Sequence, residues 1–172
     1  VLDGLAGGQP VMVAVIQQKT GADRVLDTSI LLIDIATRKH TTLGASACTN
    51  TEPVLFSPDG KTLATSQSER SAKIVMHPRL MLIDIATGAE RRLAWDWDRW
   101  PQYGSWSNDG SQLIVSADDN GDAPLFGVDI RTGEVTRLTS ASSGGVHFNT
   151  EVLPDNRIVC IRSTLVDAPE CY

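Results

Sequence analysis

The sequence predicts an all-β chain built from repeated four-stranded antiparallel units, and three observations carry that prediction. A hairpin signature recurs: Leu32-Ile33-Asp34-Ile35-Ala36-Thr37-Arg38 returns as Leu82-Ile83-Asp84-Ile85-Ala86-Thr87-Gly88 at an offset of 50, and 45 residues later as Gly127-Val128-Asp129-Ile130-Arg131-Thr132-Gly133. A second turn signature falls between the copies, Phe56-Ser57-Pro58-Asp59-Gly60-Lys61 matching Trp106-Ser107-Asn108-Asp109-Gly110-Ser111 at the same offset of 50. No stretch carries a convincing helical period, which a parallel α/β sheet would require of its crossovers.

In the first signature a leucine follows nine residues after each aspartate, at Leu43, Leu93 and Leu138. This describes a strand, a tight turn with Thr-Gly chemistry, and a strand returning antiparallel. In the second, proline presets φ and Asp-Gly tolerates left-handed backbone, with apolar residues on both sides. Leu153-Pro154-Asp155-Asn156-Arg157 is a weaker third copy, and Gln9-Pro10-Val11-Met12 holds the equivalent place without the Asp-Gly. Strands are expected near Val11 to Gln17, Thr62 to Ser66, Gln112 to Ala117 and Arg157 to Arg162. Asp59 and Asp109 are expected at hairpin turns rather than in a pocket.

Four-stranded sheets at this period are the sequence sign of a β-propeller. The units fall at approximately 1–50, 51–100, 101–145 and 146–172, about three and a half blades. Pro78 and Pro124 each precede the third strand of a unit, and Pro169-Glu170-Cys171-Tyr172 begins that strand again and stops short of its aspartate. Because a severed blade exposes an unpaired edge, the expectation is a partial propeller, a fragment of a larger ring.

Of the 172 residues 41% are hydrophobic, enough for an ordinary globular core. The net charge of -6 leaves no electropositive footprint for a phosphate backbone, so nucleic acid is not an expected partner. Apolar runs such as Val11 to Ile16 are too short to cross a bilayer as a helix, and no basic leader precedes them. The compartment stays open between periplasmic or secreted and cytoplasmic in a bacterium. Cys48, Cys160 and Cys171 permit at most one disulfide and no CxxC zinc site.

Asp118-Asp119-Asn120-Gly121-Asp122 alternates oxygen ligands as a calcium loop would, but lacks the glycine after the third ligand and the distant glutamate, and reads as a hairpin turn. Trp95-Asp96-Trp97-Asp98-Arg99-Trp100 alternates rings with charges, which places the rings on one side for burial by blade packing. Trp97, Arg99 and Trp100 are the candidate substrate-facing residues, since aromatic and arginine side chains are also recognition anchors. His40, His77 and His147 are scattered and read as solvated loop positions, so no zinc cluster is expected. Ser66 to Pro78 is polar and longer than a hairpin turn, and reads as a loop or surface excursion. No metal and no cofactor is expected.

The blade signatures resemble the propeller repeats of the prolyl oligopeptidase family and of the periplasmic Tol-system propeller. The stretches Ala117 to Asp129 and Ile158 to Glu170 look like bacterial dipeptidyl aminopeptidases and acylaminoacyl peptidases of the former family. That resemblance implies a propeller that caps an α/β-hydrolase domain of the same polypeptide and restricts entry to short peptides. The G-x-S-x-G elbow would belong to that other domain. Here the nearest approach, Gly44-Ala45-Ser46-Ala47-Cys48, lacks its second glycine, and no triad is assigned. Relatives hold a substrate's amino terminus with adjacent glutamates, and no Glu-Glu pair occurs in this sequence. The competing readings are a stand-alone, Tol-like interaction propeller and a propeller enzyme with a central metal, the latter disfavoured by the scattered ligands.

Overall fold

The computed structural model describes residues 2–6, 9–19, 26–43, 48–69, 77–140 and 142–172, with side chains described at 29–43, 54–68, 77–102, 104–140 and 142–172. The chain divides into two compact units, Val1–Arg92 and Leu93–Tyr172. The first unit holds two four-stranded sheets. One contains β1 (Leu2–Ala6), β2 (Gln9–Lys19), β3 (Leu26–Asp34) and β4 (His40–Leu43); the other contains β5 (Cys48–Phe56), β6 (Thr62–Glu69), β7 (Arg79–Asp84) and β8 (Glu90–Arg92). The second unit holds a four-stranded sheet of β9 (Pro101–Trp106), β10 (Gln112–Ala117), β11 (Leu125–Asp129) and β12 (Val135–Arg137). Its other sheet is β13 (Val146–Val152), β14 (Ile158–Ser163) and β15 (Glu170–Cys171). Every sheet is a meander, each strand hydrogen-bonded to its sequence neighbours, and every pair is antiparallel. The all-β reading and the four expected strands are present, as β2, β6, β10 and β14.

The turn chemistry explains why these strands stop and reverse. Thr37, Thr87 and Thr132 each donate their backbone N–H to the side chain of the aspartate three residues before, at 2.7, 2.8 and 2.6 Å. Thr87 and Thr132 add their hydroxyls at 2.7 and 2.8 Å. The residue after each threonine is left-handed, Gly88 at φ 72° and Gly133 at φ 76°, and Arg38 takes the same place at φ 57°. In the second turn type, Asp59 Oδ1 accepts from Ser57 Oγ at 2.7 Å and from the Lys61 N–H at 3.0 Å. Asp109 repeats this with Ser107 and Ser111, so both aspartates sit at hairpin turns as expected, but Asp109, against expectation, also lines a cleft.

The middle strands carry the core. Leu63 and Ile83 are fully buried in the first unit, and Leu113, Val115 and Val128 in the second. A continuous apolar run bounded by turn residues is the pattern of a strand covered on both faces, and β10 is buried from Leu113 to Ala117. The register slips between the first two strands of three sheets: around 51–55 in β5, opposite Val115/Ser116 in β10, and around 148–151 in β13. Pro53 sits in the first of these slips, where a residue without an N–H removes no ladder bond.

Two expectations are corrected. Ser66, Gln67 and Ser68 are not a loop but the end of β6, and all three are buried. Ser66 and Gln67 pair with both β5 and β7, Ser66 facing Thr51 and Leu80, and Ser68 pairs with Thr49 of β5, which lets a polar run be interior. The remainder of that segment, 70–76, lies outside the described residues. His147 is not a solvated loop position either: it lies in β13 and is 2% exposed.

Candidate functional site

A meander places the turns that follow its first and third strands at one end, and those that follow its second and fourth at the other. In the second unit the first end carries the repeated aspartate turns. Residues that recur from blade to blade serve the architecture. The other end carries the segment entering β9, the β10–β11 loop, the β12–β13 loop and the β14–β15 loop, and these differ in sequence from one another. Trp97, Arg99 and Trp100 belong to that end, so the candidate site is built there.

Its centre is Asp119. Asn120 and Gly121 are left-handed, at φ 53° and 90°, and Asp119 and Asp122 exchange backbone hydrogen bonds of 2.8 and 3.2 Å. These are the marks of a two-residue type I′ hairpin turn, so the Asp/Asn/Gly run is a turn as read. The turn presents the Asp119 carboxylate to two arginines: Arg99 Nη2 donates to Oδ1 at 3.1 Å and Arg137 Nη1 to Oδ2 at 3.0 Å. Asn120 Nδ2 also donates to Oδ1, at 3.1 Å. Arg99 reaches Asp98 as well, and Arg137 Nε holds the Thr139 carbonyl at 3.0 Å. The bond from Asp119, followed by the field of Asp98, pushes the Arg99 guanidinium up from its ordinary value. Two cations and two carboxylates balance, which leaves a rigid polar knot rather than a charged funnel.

The tryptophans depart from the alternating-strand expectation. Residues 93–100 form turns and bends, with Ala94 left-handed at φ 47° and the Trp97 N–H bonded to the Ala94 carbonyl at 3.0 Å. The period-two rule that would have put Trp95 and Trp97 on one buried face therefore does not apply, and Trp100, three residues beyond Trp97, falls outside that period in any case. Trp95 and Trp97 are half-buried and Trp100 is 41% exposed. Trp97 packs edge-on against Phe126, centroids 5.0 Å apart at 70°, a geometry favoured by the ring quadrupoles. Arg99 is committed to Asp98 and Asp119.

Sequence reasoning missed Arg137 and Asp119 as a pair, because their 18-residue separation follows no repeat. It also missed the seam between the two sheets of the second unit. There Ala123 donates its N–H to the Gly145 carbonyl at 3.0 Å, and its own carbonyl accepts from the His147 N–H at 3.0 Å and from His147 Nδ1 at 2.9 Å. Asp122 Oδ1 accepts from the Gly145 N–H at 2.6 Å. His147 Nε2 is buried without a hydrogen-bond partner among the described residues. Arg162 closes the seam by donating to the Ser143 and Gly144 carbonyls while lying over the Tyr172 ring, 5.1 Å from its centroid.

Among the described residues no group of three His, Cys, Asp or Glu side chains converges to hold a metal ion. Residues 44–47 of the elbow-like segment lie outside them. Cys160 and Cys171 are free thiols, Cys160 buried and pushed up in pKa first by burial and then by Cys171. No described helix is long and apolar enough to cross a membrane.

The Asp119 knot has a measurable weight. Both arginines are about one-third exposed, so solvent screening holds the expected loss for Asp119→Asn to about 1 kcal/mol. Urea unfolding at low salt should show this, and the difference should shrink at high salt. A loss indifferent to salt would assign Asp119 a turn-forming role alone.

No family model matches the chain. It is 34% identical over 77 residues to dipeptidyl-peptidase 5 of Trichophyton equinum, a match covering 42% of this chain and 10% of that protein. It is 29% identical over 114 residues to dipeptidyl-peptidase 5 of Aspergillus fumigatus, covering 64% and 16%. The matches thus take in about a tenth to a sixth of the length of these curated relatives. In structure the chain is similar to a prolyl endopeptidase at a TM-score of 0.63 with 13% identity, covering 100% of this chain and 27% of that one. It is similar to the β-propeller domain of the trilobed protease of Pyrococcus furiosus at 0.61 with 13% identity, covering 98% and 51%. A putative TolB of Agrobacterium tumefaciens matches at 0.58 with 17% identity, covering 90% and 52%. These structural likenesses show the fold, a β-propeller, and the sequence relatives carry the resemblance to the peptidases.

Proposed function

We propose that the chain is the non-catalytic propeller portion of a prolyl oligopeptidase family serine peptidase, gating short peptides toward an α/β-hydrolase domain and docking that domain. The observation that carries this reading is the 34% identity over 77 residues to dipeptidyl-peptidase 5, the likeness to the putative TolB being one of fold alone. In this reading the variable loop end of the second unit faces the peptide, with Trp100 as its exposed anchor and the Arg99–Asp119–Arg137 knot fixing the loop that bears it. Covalent peptidase chemistry needs a nucleophile, an activating base and an oxyanion site in register, and this proposal assigns all three to the hydrolase domain.

The full-length gene product is expected to cleave dipeptidyl or aminoacyl amides and to react with a fluorophosphonate probe, while the 172-residue chain stays unlabelled. Stoichiometric labelling of a serine within this chain, lost on denaturation, would overturn the assignment. So would a full-length product inert toward both substrate classes and probe.

A further inference from the structure

The aspartate turns that follow the first strand of three sheets differ in one respect. Asp59 Oδ2 has Lys61 Nζ at 3.9 Å, and Asp155 Oδ2 accepts from Arg157 Nε at 2.7 Å. Each aspartate thus keeps a cation supplied two residues later in its own turn. In the β9–β10 turn that place is taken by Ser111. Ser107 Oγ, Ser111 N and Ser111 Oγ all donate to Asp109 Oδ1, at 2.7, 3.0 and 2.8 Å. Among the described residues Oδ2 receives neither a donor nor a cation.

The turn that lacks its cation borders a cavity, which it shares with Pro154 and Asn156 of the Asp155 turn, where Arg157 is already held by Asp155. An open cleft of about 620 Å³ is lined by Asp109 together with Ile114, Leu138, Val152 and Ile158, within the size range of small-ligand sites. Leu138 is 41% exposed there. The polar rim is held in place by Asn108, whose Nδ2 donates to the Leu153 carbonyl at 2.6 Å and to Asn156 Oδ1 at 3.0 Å. An aliphatic floor under one ionised carboxylate suits a ligand with a hydrocarbon stem and a cationic tip. The three donors on Oδ1 pull the carboxyl down to about 2, so it is charged at neutral pH.

We propose that this cleft binds a lysine side chain of a partner polypeptide, its stem along Ile114, Leu138, Val152 and Ile158 and its ammonium on Asp109 Oδ2. Lysine is chosen because Lys61 already supplies that group to the equivalent carboxylate 50 residues earlier, and because a chain of net charge -6 favours a basic partner. Asp109 lies at the opposite end of the strands from the Trp97–Arg99–Trp100 loop, with Leu138 bounding the cleft on the side of Arg137, and the site does not depend on the peptidase reading.

The test is an NMR titration of the 172-residue chain with Nα-acetyl-lysine methylamide, against the norleucine analogue, which keeps the stem and lacks the charge. Shifts confined to the amides of Asn108, Ser111, Ile114 and Ile158 are expected, with the norleucine probe about fivefold weaker, the scale of an exposed ion pair. Asp109→Asn should weaken the lysine probe by a similar factor. Ser111→Lys installs the arrangement that Asp59 and Lys61 already hold, so it should fold and yet lose the probe. Equal affinity for the two probes, unchanged binding by Ser111→Lys, or shifts centred on Arg99 and Asp119 would overturn the proposal.

Discussion

Gly145→Ala is expected to lower the stability of the second unit by about 3 kcal/mol, from a strained φ, a backbone clash and weakened seam hydrogen bonds acting together. Gly145 stands at φ +85°, and a Cβ there would lie 2.5 Å from the Ser163 carbonyl oxygen and 3.1 Å from Thr164 Cγ2. A carbonyl in a ladder cannot rotate aside as a side-chain tip can. Moving β13 to relieve the contact would stretch the Gly145 N–H bond to Asp122 and the Ala123 N–H bond to the Gly145 carbonyl, at 2.6 and 3.0 Å. Gly144 is the internal control. It is also left-handed, at φ +51°, but its nearest neighbour is Asp122 Oδ1 at 3.8 Å, so Gly144→Ala should cost about 1 kcal/mol from backbone strain alone. All four tryptophans, Trp95, Trp97, Trp100 and Trp106, lie in the second unit. Urea unfolding followed by tryptophan fluorescence therefore reports on that unit. Equal midpoints for the two variants would show that the seam yields to the methyl group and does not fix the sheets.

The blades were legible because each turn carries its own local chemistry. An aspartate three residues before a threonine, or a Ser-x-Asp-Gly, forms the same hydrogen bonds wherever it occurs, and copies at a fixed offset reveal themselves. The variable end was not legible, for physical reasons that differ by residue. Asp119 and Arg137 meet because β11 and β12 fold back between them, a contact that no period announces. Ser66-Gln67-Ser68 looks like a loop by polarity, yet ladder pairing, on both sides for Ser66 and Gln67 and with β5 for Ser68, lets it be buried. His147 looks like a surface residue until its ring is found against the Ala123 carbonyl across a sheet-to-sheet bridge. The tryptophan run misled because alternation predicts a shared face only in an extended strand, and a left-handed Ala94 breaks the extension.

Acidification is expected to destabilise the fold progressively from about pH 4 downward, the range in which carboxyls of ordinary pKa titrate. Asp34, Asp84 and Asp129 are held below the ordinary 3.8, Asp34 and Asp129 first by the backbone N–H of the threonine three residues on and Asp84 first by the Thr87 hydroxyl. Asp59 is lowered first by Ser57, and Asp109 falls to about 2 first through the Ser111 N–H. In the unfolded chain these carboxyls regain the value of 3.8 and take up protons sooner than their folded counterparts. Their contribution to stability is therefore complete above 3.8 and is lost as pH falls through the folded values, for Asp109 down to about 2. Asp59, Asp84 and Asp109 are exposed, and Asp34 and Asp129 are half-buried at the ends of their strands, so the effect is expected as a gradual slope shared among turns rather than one sharp step. Urea midpoints by far-UV circular dichroism, taken at neutral pH, near pH 4 and near pH 2.5, should fall mainly between the last two. Asp109→Asn should flatten the tryptophan-detected slope, since its amide does not titrate. An unchanged midpoint across that range, or an equal slope in the variant, would mean that the turn carboxylates do not couple protonation to the fold.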